Sequence, residues 1–410
     1  MDQTIPDQNQ VATRFRIEKL VYGGEGLSRI DGEVVFTPFV LPGEEVEAVR
    51  SGKKHQAQRA KVVNLVEPSV DRVTPECGYF RKCGGCQYQH ASYAAQLRHK
   101  REILAETFRR VGRFEFDPER IAVESAEPFG YRNRVQLHFH DGKVGYRAMG
   151  SHSLVPVETC SVASPLINEV LDKLNHMVGD RRWPGFVESI EIFTNETGVQ
   201  WNIAESTRPV AKHFFDWLRQ HVPETVPGPL DYTVNGDVFT VSGTSFFQVN
   251  RYLAPRLAQL AIGDAQGGTA WDLYAGVGLF SLPLARRFEK VTAVESGRGA
   301  TGDLERNAAR AGLPINCVRQ STEPFLFESG GTPDFILADP PRAGLEKGAT
   351  GRLLEIGAPN VVIVACDPAT LARDLAALQT GYEIESVTLV DLFPQTFHIE
   401  TITKLRKRGA

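Results

Sequence analysis

Val361-Val-Ile-Val-Ala-Cys366-Asp-Pro-Ala-Thr370 decides how the second half of this chain is read. Five consecutive apolar residues, 361–365, form a strand buried on both faces, as parallel sheets require. Asp367 is a good N-cap and Pro368 a good first helical residue, so a helix starts with Ala369. Cys366 therefore stands at the carboxyl end of a strand, just before a helix N-terminus. Open α/β sheets bind ligands at that edge. The helix end favours a thiolate there, and the adjacent Asp367 opposes it. Taken alone, the position also fits a buried, inert cysteine.

The same rhythm of strand, loop and helix extends to either side. Residues 269–274 read as a strand, 279–288 as a helix, 290–294 as a strand, 302–311 as a helix closed by Gly312, and 334–338 as another strand. Such alternation argues for a doubly wound, mostly parallel sheet. Asp272-Leu-Tyr-Ala-Gly-Val-Gly278 lies between the first strand and the first helix, where Gly276 and Gly278 let backbone approach a ligand. Ser281 stands where a third glycine would complete a dinucleotide fingerprint. This turns the motif away from NAD and FAD and towards S-adenosylmethionine, which has no pyrophosphate to cradle. Glu295 ends the next strand, about 20 residues on, where an acid accepts the hydroxyls of a ribose. Asp339-Pro-Pro-Arg342 puts a carboxylate at the end of a further strand. Phe393-Pro-Gln-Thr-Phe-His398-Ile-Glu400 leads into a last strand at 400–405. Taken separately, Asp339 also fits a turn former and Glu400 a solvated charge.

Upstream, residues 11–67 show short strands broken by Gly23-Gly24-Glu25-Gly26, Asp31-Gly32 and Pro42-Gly43, the pattern of a small OB-type β-barrel. Val34, Val35 and Phe36, then Val40 and Leu41, then Val46 and Val49 supply its apolar positions. Its final turn carries Arg50, Lys53, Lys54, Arg59 and Lys61. Residues 1–10 read as a disordered tail. Residues 91–111 read as a helix with Leu97, Ile103, Leu104 and Phe108 on its apolar side. Residues 134–139 and 143–147 read as a hairpin turned at Asp141-Gly142, and 165–178 as a helix. The chain of 410 residues carries a net charge of −4, which excludes a basic coat protein. Between Arg50 and Arg113, however, 14 Lys/Arg face 5 Asp/Glu. A local basic face on an acidic protein fits a polyanionic partner. No apolar run reaches the ~20 residues of a membrane span, and no leader-like segment opens the chain, so a cytoplasmic protein without membrane contact is expected.

In such a compartment cysteines serve metals or catalysis rather than disulfides. Cys77-x5-Cys83-x2-Cys86, followed by Cys160, suits an iron–sulfur cluster or Zn2+, with free thiols as the remaining alternative. The x5 spacing is wider than the usual zinc knuckle.

Together these motifs resemble one family, the S-adenosylmethionine-dependent RNA uracil-C5 methyltransferases, over nearly the whole chain. The resemblance implies a Rossmann-like class I methyltransferase domain (236–410). Before it come an OB-like TRAM barrel that binds RNA (11–67) and an α+β central domain (68–235), whose helix at about 91–112 packs on the catalytic domain. It implies a [4Fe-4S] cluster on Cys77, Cys83, Cys86 and Cys160. It also implies S-adenosyl-L-methionine bound by Gln248 (from Phe246-Phe-Gln-Val-Asn250), Tyr274, Gly276, Glu295 and Asp339, the last contacting the uracil edge or the cofactor. Cys366 is the implied nucleophile and Glu400 the base. Asp367 stands where the family more often has asparagine. The implied reaction methylates C5 of a uridine in 23S ribosomal RNA or, alternatively, transfer RNA, and the enzyme is expected to act as a monomer. A non-catalytic RNA-binding protein is the reading from a different class. It predicts no cofactor site.

Overall fold

The computed structural model describes residues 12–54 and 57–409. The tail expected over 1–10 lies outside the described residues.

The runs read as parallel strands build one eight-stranded sheet. Its order is Ile315–Arg319, Phe288–Glu295, Gly267–Leu273, Phe335–Ala338, Asn360–Ala365, Glu400–Lys407, Tyr382–Val390 and Ile121–Glu124. The first five are parallel, and Glu400–Lys407 runs against both of its neighbours. The strands Phe335–Ala338 and Asn360–Ala365 are apolar without alternation because both of their faces are covered. Strand order reverses between Gly267–Leu273 and Phe335–Ala338. The crevice outside the carboxyl ends at such a switch point is where these sheets hold ligands.

The helix behind Cys366 forms over Pro368–Leu378. The Asp367 carboxylate accepts the N–H groups of Ala369 and Thr370, each at 2.9 Å. Arg298–Ala311 closes on Gly312 in the left-handed region, as expected. The helix expected over 279–288 shrinks to one turn, Ser281–Leu284. Parallel pairing of Phe288 with Gly267 draws Phe288 into the next strand, and Pro283 contributes no amide donor to a longer helix. Tyr274, expected to end the strand, instead sits in the turn after it at φ 61°.

Residues 13–54 and 57–67 contribute the strands of one six-stranded sheet. Val40 and Leu41 do not extend its strands; they lie in the following loop with buried side chains. The basic residues expected in a turn lie instead on two long antiparallel strands, Glu45–Lys54 and Ala57–Glu67. The hairpin Arg134–His140/Lys143–Arg147 turns at Asp141 and Gly142, both at positive φ. It belongs to a five-stranded antiparallel sheet that packs on the helices Pro165–Met177 and Lys212–His221.

The helix expected at 91–111 spans Tyr93–Thr107 and continues as a wider turn, Phe108–Gly112. Ile103, Leu104 and Phe108 are buried, but Leu97 is only half-buried, and Gln96, His99 and Lys100 fill the rest of the inner face. The helix shares a core with Leu371, Ala372 and Leu375. Ile121–Glu124 then becomes the eighth strand of the large sheet.

Candidate active site

Register places two of the expected site residues, Cys366 and Glu400, side by side. Ala365 pairs with Thr401 across an antiparallel ladder, and the Thr401 hydroxyl donates to the Ala365 carbonyl at 3.1 Å. The residues just beyond this pair on the open edge are Cys366 and Glu400. Asp339 follows the neighbouring strand Phe335–Ala338 at the same edge, its N–H bonded to the Leu273 carbonyl at 3.2 Å.

These groups perturb one another. Burial pushes the Cys366 thiol up to about 12, the carboxylates of Glu400 and Asp339 push in the same direction, and the Arg342 guanidinium opposes them. Burial raises Asp339 to about 7. Glu400, 6% exposed, is raised well above the carboxylate range by burial and then by Asp339, again against Arg342. Two adjacent carboxyls in a poorly solvated cleft retain a proton between them. His398 is lowered to about 4 by burial and by the cations Arg342, Lys100 and Arg132, so it is a neutral imidazole near pH 7. Its ring lies 4.3 Å from that of Phe397.

A second group lines the switch point. Gly276 stands at φ 56°, and a Cβ there would meet nothing within 4 Å, so its backbone borders open space. Gly278 serves packing, since a Cβ there would strike Leu304. Glu295 accepts the N–H of Gly276 at 3.0 Å and that of Gly297 at 2.6 Å. Each of its oxygens keeps a lone pair for a ribose hydroxyl. Asp272 is fully buried and accepts from the Ser281 hydroxyl, while its Oδ1 has no partner among the described residues. Gln248 is buried in a loop held to the helix after Glu295, where Asp303 accepts from the Ser242 N–H at 2.8 Å and from the Ser245 hydroxyl at 2.5 Å. An open glycine turn, a ribose-type acid and an unpartnered buried carboxylate oxygen fit S-adenosylmethionine.

Motif reading left out one residue of this cleft. Tyr22 reaches over from the N-terminal sheet, donates to the Cys366 carbonyl at 3.5 Å, and meets the Phe397 ring edge-on at 5.4 Å. Nothing near Tyr22 in sequence signals that contact.

The four cysteines assemble elsewhere. Cys77, Cys83, Cys86 and Cys160 line one cavity of about 200 Å3, together with Arg132 and Tyr146. Burial raises Cys83 to about 11 and Cys86 to about 12, and neighbouring thiols add to each. Among the described residues no group of three or more His, Cys, Asp or Glu is placed so as to hold a metal ion. Four thiols around one cavity are the donor type that either a cluster or zinc would use. The Gly85 N–H already points to Cys83 Sγ at 3.4 Å.

Comparison with known proteins points to one family. Residues 332–408 match the family described as tRNA (Uracil-5-)-methyltransferase. An uncharacterized RNA methyltransferase of Aquifex aeolicus is 31% identical over 96% of this chain and 98% of its own length. A 23S rRNA (uracil(1939)-C(5))-methyltransferase of Halomonas elongata is 30% identical over 95% of this chain and 88% of its own. The crystal structure of a Pyrococcus abyssi tRNA (uracil-54, C5)-methyltransferase with S-adenosyl-L-homocysteine superposes with a TM-score of 0.76 at 25% identity, covering 96% of this chain and all of that one. These relatives set aside a non-catalytic RNA-binding role. The chain belongs to the S-adenosylmethionine-dependent RNA (uracil-C5) methyltransferases.

Proposed function

We propose that this enzyme methylates C5 of a uridine in 23S ribosomal RNA through a covalent bond between Cys366 Sγ and C6 of the base. The observation that carries the mechanism is the pairing of Ala365 with Thr401, which sets Cys366 beside Glu400. Uracil C5 is a weak nucleophile. The Cys366 thiol gives up its proton to solvent, and addition of the resulting thiolate at C6 shifts the ring electrons to C5 and O4, which splits one difficult step into two easier ones. When bound, S-adenosylmethionine supplies a sulfonium methyl group and leaves as a neutral thioether. C5 then carries both hydrogen and methyl. With the proton that the two carboxyls share resting on Asp339, the Glu400 carboxylate takes the C5 proton, the C5–C6 double bond re-forms, and Cys366 departs as thiolate. Asp339, neutral below about pH 7, can donate to the uracil edge or orient the cofactor. Gln248, Tyr274, Gly276 and Glu295 hold the cofactor.

The base must leave its stack to reach this edge, so the uridine is flipped. The N-terminal sheet, read as a TRAM domain over 11–67, grips the RNA with its basic strands, ahead of a central domain at 68–235 and the catalytic domain at 236–410. The cysteines would hold a [4Fe-4S] cluster in the central domain. Among the described residues no helix is long and apolar enough to cross a membrane. In this reading the enzyme works as a monomer in the cytoplasm. The Halomonas relative favours ribosomal RNA; the Pyrococcus likeness keeps transfer RNA as the second reading.

The test is genetic. Ribosomal and transfer RNA from cells lacking the gene, complemented with the native chain or with Cys366→Ala, are digested and their nucleosides weighed by mass spectrometry. We expect 5-methyluridine in 23S RNA to return with the native chain alone. Restoration by Cys366→Ala overturns the covalent mechanism, and a change confined to transfer RNA overturns the target.

A further inference from the structure

The segment that enters Glu400 is held from outside its own sheet. Its four successive carbonyls, 392–395, each accept a hydrogen bond from a different part of the chain. Leu392 accepts from Asn250 at 3.1 Å, Phe393 from Lys100 at 3.0 Å and Pro394 from the Tyr131 hydroxyl at 3.0 Å. Gln395 accepts two backbone N–H groups, from Gln87 at 3.0 Å and Tyr88 at 2.9 Å. Those two residues directly follow Cys86.

Gln395 is bound a second time through its side chain. Gln96 Nε2 donates to Gln395 Oε1 at 2.9 Å, and the Gln395 N–H donates to Gln96 Oε1 at 3.0 Å. The same Gln96 amide reaches the carbonyls of Tyr88 at 3.2 Å and Ala91 at 2.9 Å. Gln96 is 1% exposed and Gln395 3%. Gln395 also stands at φ 68°, a region that favours glycine. A glutamine kept buried in that conformation is held there by its hydrogen bonds, because each buried amide left unpaired is costly.

We propose that Gln96 and Gln395 are positioning residues that lock the loop following Cys86 to the segment entering Glu400, so that order at the cysteine cavity sets where the Glu400 carboxylate lies. The proposal rests on Glu400 being the base. The geometry divides the reaction in two. Cys366 is carried by its own strand and helix and does not depend on the lock, whereas Glu400 is reached through 392–395 and does. Loosening the lock therefore spares adduct formation and slows proton removal.

The test compares the full-length native enzyme, Gln96→Met and Glu400→Gln in single turnovers with substrate RNA. It follows the covalent RNA–protein adduct and the release of methylated RNA, alongside deuterium exchange of the amides in 84–92 and 391–400. Displacing a catalytic group by about 1 Å can slow a step about a hundredfold. For Gln96→Met we expect native adduct formation, release slowed about ten- to a hundredfold with KM for RNA unchanged, and faster exchange in both segments together. Native release, or exchange that rises in only one segment, overturns the lock. Gln395→Asn is a second route. Asparagine tolerates positive φ but is too short to reach Gln96, and the same two readouts are expected; native behaviour again overturns the proposal. Glu400→Gln separates the two levels. If it fails to accumulate adduct, the assignment of the base falls; if it accumulates adduct while the glutamine variants release normally, only the lock falls.

Discussion

Cys366 shows how neighbouring charges can outweigh a helix end. The helix N-terminus by itself would lower the thiol. Asp367 takes the first free amides for its own carboxylate, and burial with Glu400 and Asp339 then drives the thiol the other way, to about 12. Cys366 is thus held as a thiol near pH 7. Asp272 makes a related point about stability. Burial raises it from 3.8 to about 7, its bond from Ser281 opposes that, and Asp339 and Glu295 add to it. The folded state therefore binds this proton more tightly than the unfolded chain. Its contribution is complete below about pH 4 and is lost as pH rises to about 7. Asp272→Asn removes the titration while keeping the acceptor for Ser281. Thermal melts across that range should show a shallower fall in stability for the variant than for the native chain; parallel curves would show that Asp272 does not titrate there.

Among the elements, Tyr93–Thr107 departs most from its sequence pattern. Apolar periodicity finds Ile103, Leu104 and Phe108 but not the polar part of the buried face. Lys100 is fully buried and pairs with Asp391 at 2.6 Å, and the Tyr93 hydroxyl donates to the other Asp391 oxygen at 2.9 Å. Such a pair contributes little over an apolar replacement, but removing one partner strands a charge, at about 3–5 kcal/mol. Lys100→Met should lower the unfolding free energy read from urea melts by an amount of that order, and Lys100→Met with Asp391→Leu should recover much of it. Equal midpoints for the single variant and the native chain would show the pair to be dispensable.

At the scale of the molecule, two sheets and one loop meet around one edge. The N-terminal sheet contributes Tyr22, the large sheet Cys366, Asp339 and Glu400, and the cysteine loop braces the segment before Glu400. That loop is tied in turn to the central hairpin, through the Gly84 N–H to the Arg147 carbonyl at 3.0 Å. An occupied cysteine cavity would therefore stiffen two regions together. Protein purified without oxygen should be brown and contain iron, and removing the iron should lower the melting temperature. A colourless preparation with one zinc per chain would replace the cluster with a single ion.

Much of this was legible in order of appearance along the chain. The strand before Cys366, its Asp367 cap and Pro368, the Gly276 turn and the acid at Glu295 were readable because strands, caps and turns are set by residues within a few positions of one another. The one-turn helix at Ser281–Leu284 was not, since its length is dictated by the pairing of Phe288 with Gly267 on another strand. Tyr22 on Cys366, Lys100 on Asp391 and Gln96 on Gln395 lie about 300 residues apart and leave no periodic trace. Sequence by itself determined the parallel sheet and the residue types on its binding edge. Only the tertiary structure decided which side chains touch there, because buried polar groups must find partners wherever the packed chain brings them.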